Sequence, residues 1–317
     1  MAVETTIQFE SLESVGLPDK PLHLAVGMFD GVHLGHQAVI ETAVQSAHAS
    51  NGVAAVLTFW PHPSRLFSPD DPVHMIMSPK VKVDVLASHN IEYIIQQPFD
   101  RDFASIEAGD LVAYLKQCLP ELTTIHVGSN WRFGKKRVGD IPMLVELGRQ
   151  SGVHVISVER VSYDGEPISS TRIRKYLKEG DMEMANVLLG DVYFSIGTVV
   201  EGMQMGAKLG FPTLNLPWEP ELQPPFGVYC VEVEGKVGGS PVKARGVANY
   251  GVRPTVGETE SPLLEVHLLD VCPFTTGQLL KVRWYKHLRA EKKFDGLEAL
   301  KAQIASDVDQ AKDFWNC

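Results

Sequence analysis

Gly27-Met28-Phe29-Asp30-Gly31-Val32-His33-Leu34-Gly35-His36 is the stretch on which the reading of this chain turns. The apolar run Leu22–Val26 leads into it, and Val39, Ile40, Ala43, Val44 and Ala47 follow at the spacing of one helix face. A strand therefore passes through a Gly-rich turn into a helix, and two histidines stand where that helix begins. Free backbone N–H groups and the positive end of the helix dipole make such a point an anion site. Glycine lets a phosphate approach the backbone closely. Two imidazoles can donate hydrogen bonds to a phosphoryl group as its charge grows. A lone histidine after a turn would read as a surface residue; the ten-residue pattern in its strand–turn–helix setting carries far more.

Outward from this stretch the chain has two grammars. Strands are expected at 22–26, 53–60, 92–95, 124–127 and 153–158, with helices at 36–50, 79–89, 107–118 and 140–151. Such alternation predicts βαβ units and a parallel sheet, whose ligands lie beyond the carboxyl ends of the strands. After about residue 190, strand-like runs follow one another at 193–201, 211–216, 227–234, 242–250, 263–270 and 279–287, separated by Gly/Pro turns. Those predict a small sandwich or barrel. Leu297, Leu300, Ile304, Val308 and Ala311 form an apolar helical stripe that should pack on it. The expected domains are 1–187 and 188–317.

Bulk properties narrow the function classes. The chain of 317 residues is 44% hydrophobic and 21% charged, which is ordinary for a soluble protein. Its net charge of −10, with no long basic block, argues against nucleic acid or an anionic membrane as the main partner. Polyanionic small molecules stay open, since a local Lys/Arg pocket can coexist with a negative total. Cys118, Cys230, Cys272 and Cys317 are scattered, so neither a disulfide framework nor a zinc site is expected. No apolar run is long enough to span a membrane, and Glu4, Glu10 and Glu13 do not suit a secretory signal. A cytoplasmic protein is expected; the oligomeric state is not legible.

Further motifs follow. Ile168-Ser169-Ser170-Thr171-Arg172-Ile173-Arg174 opens a helical segment whose hydroxyls can cap it or bind phosphate, with arginines close behind. In Val127-Gly128-Ser129-Asn130-Trp131-Arg132-Phe133-Gly134, Asn130 supplies an amide, and Trp131 and Phe133 either stack on a ring or pack in the core. Gly134-Lys135 is not a P-loop, because the gap back to Gly128 is one residue too long and no Ser/Thr follows. Farther on, Gly202-x-x-x-Gly206-x-x-Leu209-Gly210-Phe211-Pro212-Thr213-Leu214-Asn215 presents oxygens from Thr213 and Asn215 at i and i+2, a set that suits Mg²⁺. A turn-rich β-connection would use the same residue types. Asn249-Tyr250-Gly251-x-x-Pro254-Thr255 comes next. Glu265 and His267 then share one face of a strand, where a carboxylate can accept a proton from a substrate hydroxyl.

These strings resemble known families. The dual-histidine stretch is similar to the signature of the nucleotidylyltransferase superfamily in its flavin-nucleotide branch. Ile168-Ser169-Ser170-Thr171 with Ile173-Arg174 is similar to that superfamily's second signature in FAD synthetases. Thr58-Phe59-Trp60-Pro61-His62-Pro63 and Phe99-Asp100 with Phe103-Ala104 fit as well. The Gly210-to-Asn215 string resembles the Gly-x-Pro-Thr-x-Asn motif of riboflavin kinases, and 264–270 resembles the segment holding their base. The chain is thus identified as similar, over nearly its whole length, to the prokaryotic bifunctional riboflavin kinase/FMN adenylyltransferases (FAD synthetases).

The resemblance implies a Rossmann-like nucleotidylyltransferase domain followed by a small antiparallel β-barrel with a C-terminal helix. It implies riboflavin, FMN, FAD, ATP, ADP and pyrophosphate as ligands, and Mg²⁺ as cofactor. Gly27, Phe29, Asp30, Gly31, His33, His36, Ser170, Thr171 and Arg174 would bind the adenylylating ATP. Asn130, Trp131, Phe133 and Arg289 would bind flavin. Gly206, Gly210, Pro212, Thr213 and Asn215 would bind the kinase nucleotide, with Thr213 and Asn215 on Mg²⁺ and Glu265 as base. Departures from the pattern are Met28, Trp60, Asp191-Val192, Ala207 and Leu214. Two alternatives stay open: a nucleotidylyltransferase for another substrate fused to an unrelated β-domain, and a flavin-binding regulator with decayed catalysis.

Overall fold

A computed structural model describes residues 6–202, 205–252 and 262–316, without the side chains of Met205 and Ala207. Pro254 and Thr255 of the 249–255 string, and the middle of the 202–206 string, lie outside the described residues. Backbone contacts divide the chain into 1–170 and 171–317.

The first unit carries β1 (Ile7–Phe9), β2 (Leu22–Val26), α1 (Leu34–Ser50), β3 (Val53–Trp60), α2 (Ser64–Phe67), α3 (Pro79–Ala87), β4 (Tyr93–Pro98), α4 (Arg101–Ser105), α5 (Leu111–Cys118), β5 (Leu122–Gly128), α6 (Ile141–Ser151), β6 (His154–Val158) and a small hairpin, β7 (Ser162–Tyr163) with β8 (Glu166–Pro167). Its sheet has the order β1-β4-β3-β2-β5-β6, every pairing parallel. Strand β2 is buried throughout and β3 nearly so. That is why both read as unbroken apolar runs: central parallel strands have helices on both faces. The chain runs outward from β2 to β3 and β4, then returns to lay β5 on the other side of β2. The order reverses between β2 and β5, and the crevice beyond their carboxyl ends is where such sheets bind ligands.

Two histidines lie buried between this sheet and α1. His23 on β2 meets Ser50 Oγ at 2.8 Å, His126 on β5 meets Thr42 Oγ1 at 3.2 Å, and the rings are 5.9 Å apart. His126 is 0% exposed. Burial first, and the neighbouring His23 second, pull its pKa down to about 4. The folded unit therefore resists a proton that the unfolded chain accepts near pH 6.5, so stability is retained above that pH and falls as pH drops toward 4. The loss at full protonation is on the order of 3 kcal/mol. Hydrogen exchange of the β2 and β5 amides should quicken between pH 6.5 and 4.5 beyond the intrinsic pH dependence. His126→Gln should flatten that response, and an unchanged profile would exclude His126 as its source.

The second unit begins with α7 (Ser170–Glu179), apart from Ser170 itself, and α8 (Met182–Leu189). Strands β9 (Phe194–Thr198), β10 (Leu214–Pro217), β11 (Gly227–Val237), β12 (Ser240–Val252), β13 (Pro262–Leu268) and β14 (Leu279–Ala290) follow, with α9 (Met205–Lys208) before β10 and α10 (Leu297–Trp315) at the end. The sheet order is β10-β13-β12-β11-β14-β9, all antiparallel, and a bridge between Val200 and Asn215 brings its two edges together. This is the expected barrel. The β11–β12 hairpin is longer than expected because Gly238 and Gly239, at φ 57° and 85°, form the tight turn that suits strand twist.

Tyr229, Tyr250 and Trp284 are fully buried, and Val228, Cys230 and Val247 on alternate positions pack with Val308 and Ala311 of α10. Helix α8 joins this unit because Asn186 ties it down: its Nδ2 donates to the Trp284 carbonyl at 2.9 Å and its Oδ1 accepts from Tyr193 N–H at 2.8 Å. The unusual Asp191 also has local partners, Arg283 Nη1 at 2.8 Å and its neighbour's N–H at 2.7 Å. Leu214 is buried and pairs with Val266.

Candidate functional site

The Gly27–His36 turn lies at the carboxyl end of β2, on the reversal of strand order. Gly27 N–H donates to the Leu57 carbonyl at 3.1 Å, carrying the β2–β3 pairing one residue further. Phe29 and Val32 then adopt φ of 49° and 40°, and Gly31 φ of 83°. Positive φ is costly for a β-branched residue, and such strain persists only where the surroundings over-determine it. Asp30 supplies part of that determination. Buried, it accepts from Ile76 N–H at 3.0 and 3.1 Å and from Met77 N–H at 3.3 Å. Its carboxylate thus holds the turn to the 76–77 backbone.

His33 caps α1. His36 N–H donates to the His33 carbonyl at 2.7 Å and also reaches His33 Nδ1 at 3.2 Å. The His33 and His36 rings stack with centroids 3.6 Å apart and planes 14° apart. Phe29 meets His36 edge-on at 5.3 Å. A Cβ at Gly35 would come within 3.2 Å of the His33 ring, so a larger residue there would have to shift the ring by a few tenths of an ångström. The turn therefore presents two parallel imidazoles at the start of a helix. Ser170, first residue of α7, donates its hydroxyl to the Asp30 carbonyl at 2.9 Å. Thr171, exposed, and Arg174, half-buried, continue that helix in the second unit.

The loop after β5 lies on the other side of the same reversal. Ser129 N–H donates to the Val158 carbonyl and Trp131 N–H to the Gly128 carbonyl, both at 2.9 Å. Asn130 is exposed and Trp131 half-buried. Phe133 is buried in the core and stacks on Trp131 at 4.9 Å, so it backs the tryptophan from inside.

In the second unit, direct cross-strand pairs run Asn215–Glu265, Glu265–Asn249, Asn249–Val228 and Val228–Arg289. Paired residues of an antiparallel sheet share a face. One row thus carries the expected base, an expected metal ligand and the expected flavin arginine across five strands. A cavity of about 610 Å³ opens on this face, lined among others by Gly206, Thr213, Asn249, Glu265, His267 and Arg289. Gly206 closes the turn before β10 by accepting from Phe211 N–H at 2.8 Å, and Gly210 has φ 91°. The Pro212 carbonyl lies 2.9 Å from His267 Nδ1, which ties this turn to β13. Asn215 is buried, its Nδ2 3.4 Å from the Thr213 carbonyl.

Hydroxyl, amide and carboxylate are all hard oxygen donors, so Thr213, Asn215 and Glu265 fit Mg²⁺ by type. Among the described residues no cluster of three His/Cys/Asp/Glu could hold a metal alone. An ion here would complete its shell with water and phosphate.

Residues outside the expected set complete this site. Asp307, 3% exposed on α10, grips the Arg289 guanidinium through two bonds of 2.9 and 2.7 Å, and Gln303 donates to the same carboxylate at 2.9 Å. Such a fork fixes the arginine's plane. Glu291, also lining the cavity, has its pKa raised by burial, against the pull of Arg289. The signal for Asp307 was a charge inside the apolar stripe of Ile304, Val308 and Ala311; for Asn249 it was the quoted string, to which no role was attached.

Comparisons with known proteins match two separate stretches of the chain. Residues 18–172 match the family described as FAD synthetase, and residues 189–315 the family described as riboflavin kinase. A protein of Escherichia coli (strain K12) named bifunctional riboflavin kinase/FMN adenylyltransferase is 36% identical over 298 residues, 94% of each chain. One of the same name from Bacillus subtilis (strain 168) is 37% identical over 297 residues, 91% of this chain and 90% of that one. A crystal structure from Streptococcus pneumoniae, described as a macrolide-efflux protein, has a TM-score of 0.85 at 28% identity and covers 97% of this chain and 98% of its own. That description belongs to the pneumococcal protein; the fold is shared over the full length.

Proposed function

The chain belongs to the family of bifunctional riboflavin kinase/FMN adenylyltransferases, and from that premise we propose that it phosphorylates riboflavin with ATP to FMN and then adenylylates FMN with ATP to FAD. One observation carries the reading: both motif sets stand in one chain, each gathered at a place built for its chemistry. We keep the functional boundary at 187/188, in the gap between the two matched stretches and near the end of α8, although α7 and α8 belong by backbone contacts to the second unit.

In the kinase step the ribityl 5′-hydroxyl attacks the γ-phosphorus of ATP, the O–P bond forms, and ADP leaves. Glu265 receives the hydroxyl proton. Arg289, held flat by Asp307, orients the flavin over the cavity, and the 206–213 turn cradles the nucleotide. Mg²⁺, held through Thr213 and Asn215, would offset phosphate charge. No covalent enzyme intermediate is needed; positioning and electrostatics do the work.

In the adenylyl step a phosphate oxygen of FMN attacks the α-phosphorus of ATP and pyrophosphate leaves. The nucleophile is already an anion, so no strong base is required. His33 and His36 donate to the α-phosphoryl oxygens as charge builds, and Ser170, Thr171 and Arg174 serve the leaving pyrophosphate. Asn130 and Trp131 hold the flavin end, with Phe133 behind the tryptophan. A reducing cytoplasm suits the free thiols Cys118, Cys230 and Cys272.

Chromatography of flavins after incubation with riboflavin, ATP and Mg²⁺ tests the whole reading. FMN should appear first and FAD after it, and excess chelator should stop both until Mg²⁺ is restored. Neither product would favour another substrate, and bound but unaltered riboflavin would favour a regulator.

A further inference from the structure

Lys82 lies on α3, one turn after the 76–77 backbone that Asp30 holds, and is 1% exposed. Its Nζ reaches three oxygens: Thr58 Oγ1 at 2.9 Å, the Met28 carbonyl at 3.3 Å and the Phe59 carbonyl at 3.3 Å. Three acceptors match the three N–H bonds of an ammonium; a neutral amine has two. Thr58 completes the arrangement, since its hydroxyl accepts from Lys82 and donates to the Met28 carbonyl at 3.0 Å. One buried cation thus joins α3, the end of β3 and the second residue of the dual-histidine turn.

We propose that Lys82 is a positioning residue for adenylyl transfer, one that sets the turn's backbone for phosphate through the Met28 carbonyl. The inference rests on the reading of this turn as the adenylylating site. The peptide is planar and trans, so a Met28 carbonyl held toward Lys82 and Thr58 turns the Phe29 N–H to the opposite side. The strained φ of Phe29 and Val32 needs such an anchor, and Asp30 provides the second. Burying an ammonium costs far more than burying a methionine of similar volume. Here the charge lies beneath a turn that handles anions, where it adds favourable potential. Burial pulls the Lys82 pKa down to about 8, against the opposing effect of Asp30, the ionisable group that acts on it. Above that pH the third hydrogen bond and the charge are lost together.

The test uses the full chain, with FAD formed from FMN and ATP as one readout and FMN formed from riboflavin as the internal control. Lys82→Met should lower FAD formation about 10²-fold, mostly in kcat, as expected for reacting groups misplaced by a fraction of an ångström or more. The kinase should stay within about twofold, because its residues belong to the other matched stretch. Thr58→Val should lower FAD formation too, and adding it to Lys82→Met should cost little more, since both act through one carbonyl. Wild-type FAD formation should decline above pH 8, and Lys82→Arg, which stays charged, should be slower but lack that decline. Lys82→Met that makes FAD at the wild-type rate would overturn the proposal. So would parallel loss of both activities with a lowered melting temperature, which would make Lys82 scaffold only. A wild-type protein that makes no FAD at all would refute the functional reading instead.

Discussion

His36→Ala should abolish most FAD formation while riboflavin phosphorylation continues, so that FMN accumulates. The expected loss is roughly 10²–10³-fold in rate, the usual cost of removing one preorganised donor to a developing charge. Geometry sharpens the expectation. The His36 ring lies flat on His33 at 3.6 Å and is braced edge-on by Phe29, so alanine removes both a donor and the surface that keeps His33 in place. His36→Gln should recover part of the rate, because the amide can donate and partly fills the gap. The check is product analysis in one reaction with riboflavin, ATP and Mg²⁺. Equal loss of FMN and FAD would mean that the two activities do not reside in separate sites.

Much of this architecture was legible because it rests on local rules. Unbroken apolar runs at 22–26 and 53–60 belong to central parallel strands, and the stripe from Leu297 to Ala311 belongs to a helix with one buried face. The dual-histidine turn could be placed because strand, turn and helix are contiguous in sequence. What could not be read came from contacts remote in sequence. Strand β1 is three residues long with an exposed face, too short to show a period, and only its pairing with β4 makes it a strand. The reversal between β2 and β5 is a fact of topology, and it is what brings the 128–133 loop to the histidine turn's side of the sheet.

The same limit applies to individual side chains. Lys82 sits among Val81, Val83 and Val85, where a lysine reads as a solvated residue snorkelling over apolar neighbours. Its burial depends on oxygens more than twenty positions away. Asp191 stands out in the sequence only as a departure from the family pattern, yet Arg283 pairs with it across 92 positions. Asp30 was read as a nucleotide ligand from its place in the motif, while its carboxylate accepts from Ile76 and Met77, which no local pattern connects to it. Motif membership marks a candidate site; which member touches substrate and which holds the frame is a property of the fold.

Glu265→Gln should do the reverse of His36→Ala. An amide of the same shape cannot take the hydroxyl proton, so riboflavin phosphorylation should slow by about 10²-fold or more, while supplied FMN is still converted to FAD. Shape is the reason to choose glutamine. Glu265 is flanked in register by Asn215 and Asn249, and an amide can sit between two amides without the cavity collapsing. Binding of riboflavin should therefore change little, and the loss should appear in kcat and not in KM. Glu265 lines the cavity together with Thr213, and a carboxylate there has a second role open to it, as a metal ligand instead of a base. The two roles separate in the Mg²⁺ dependence. A lost ligand would raise the Mg²⁺ concentration needed for half-maximal rate and would be partly overcome by excess metal; a lost base would leave that concentration unchanged and the rate low at every one. Normal phosphorylation by the variant would leave Glu265 as a strand residue lining the cavity, with the proton passing to solvent or phosphate. If so, the row from Asn215 to Arg289 would position substrate without taking part in proton transfer.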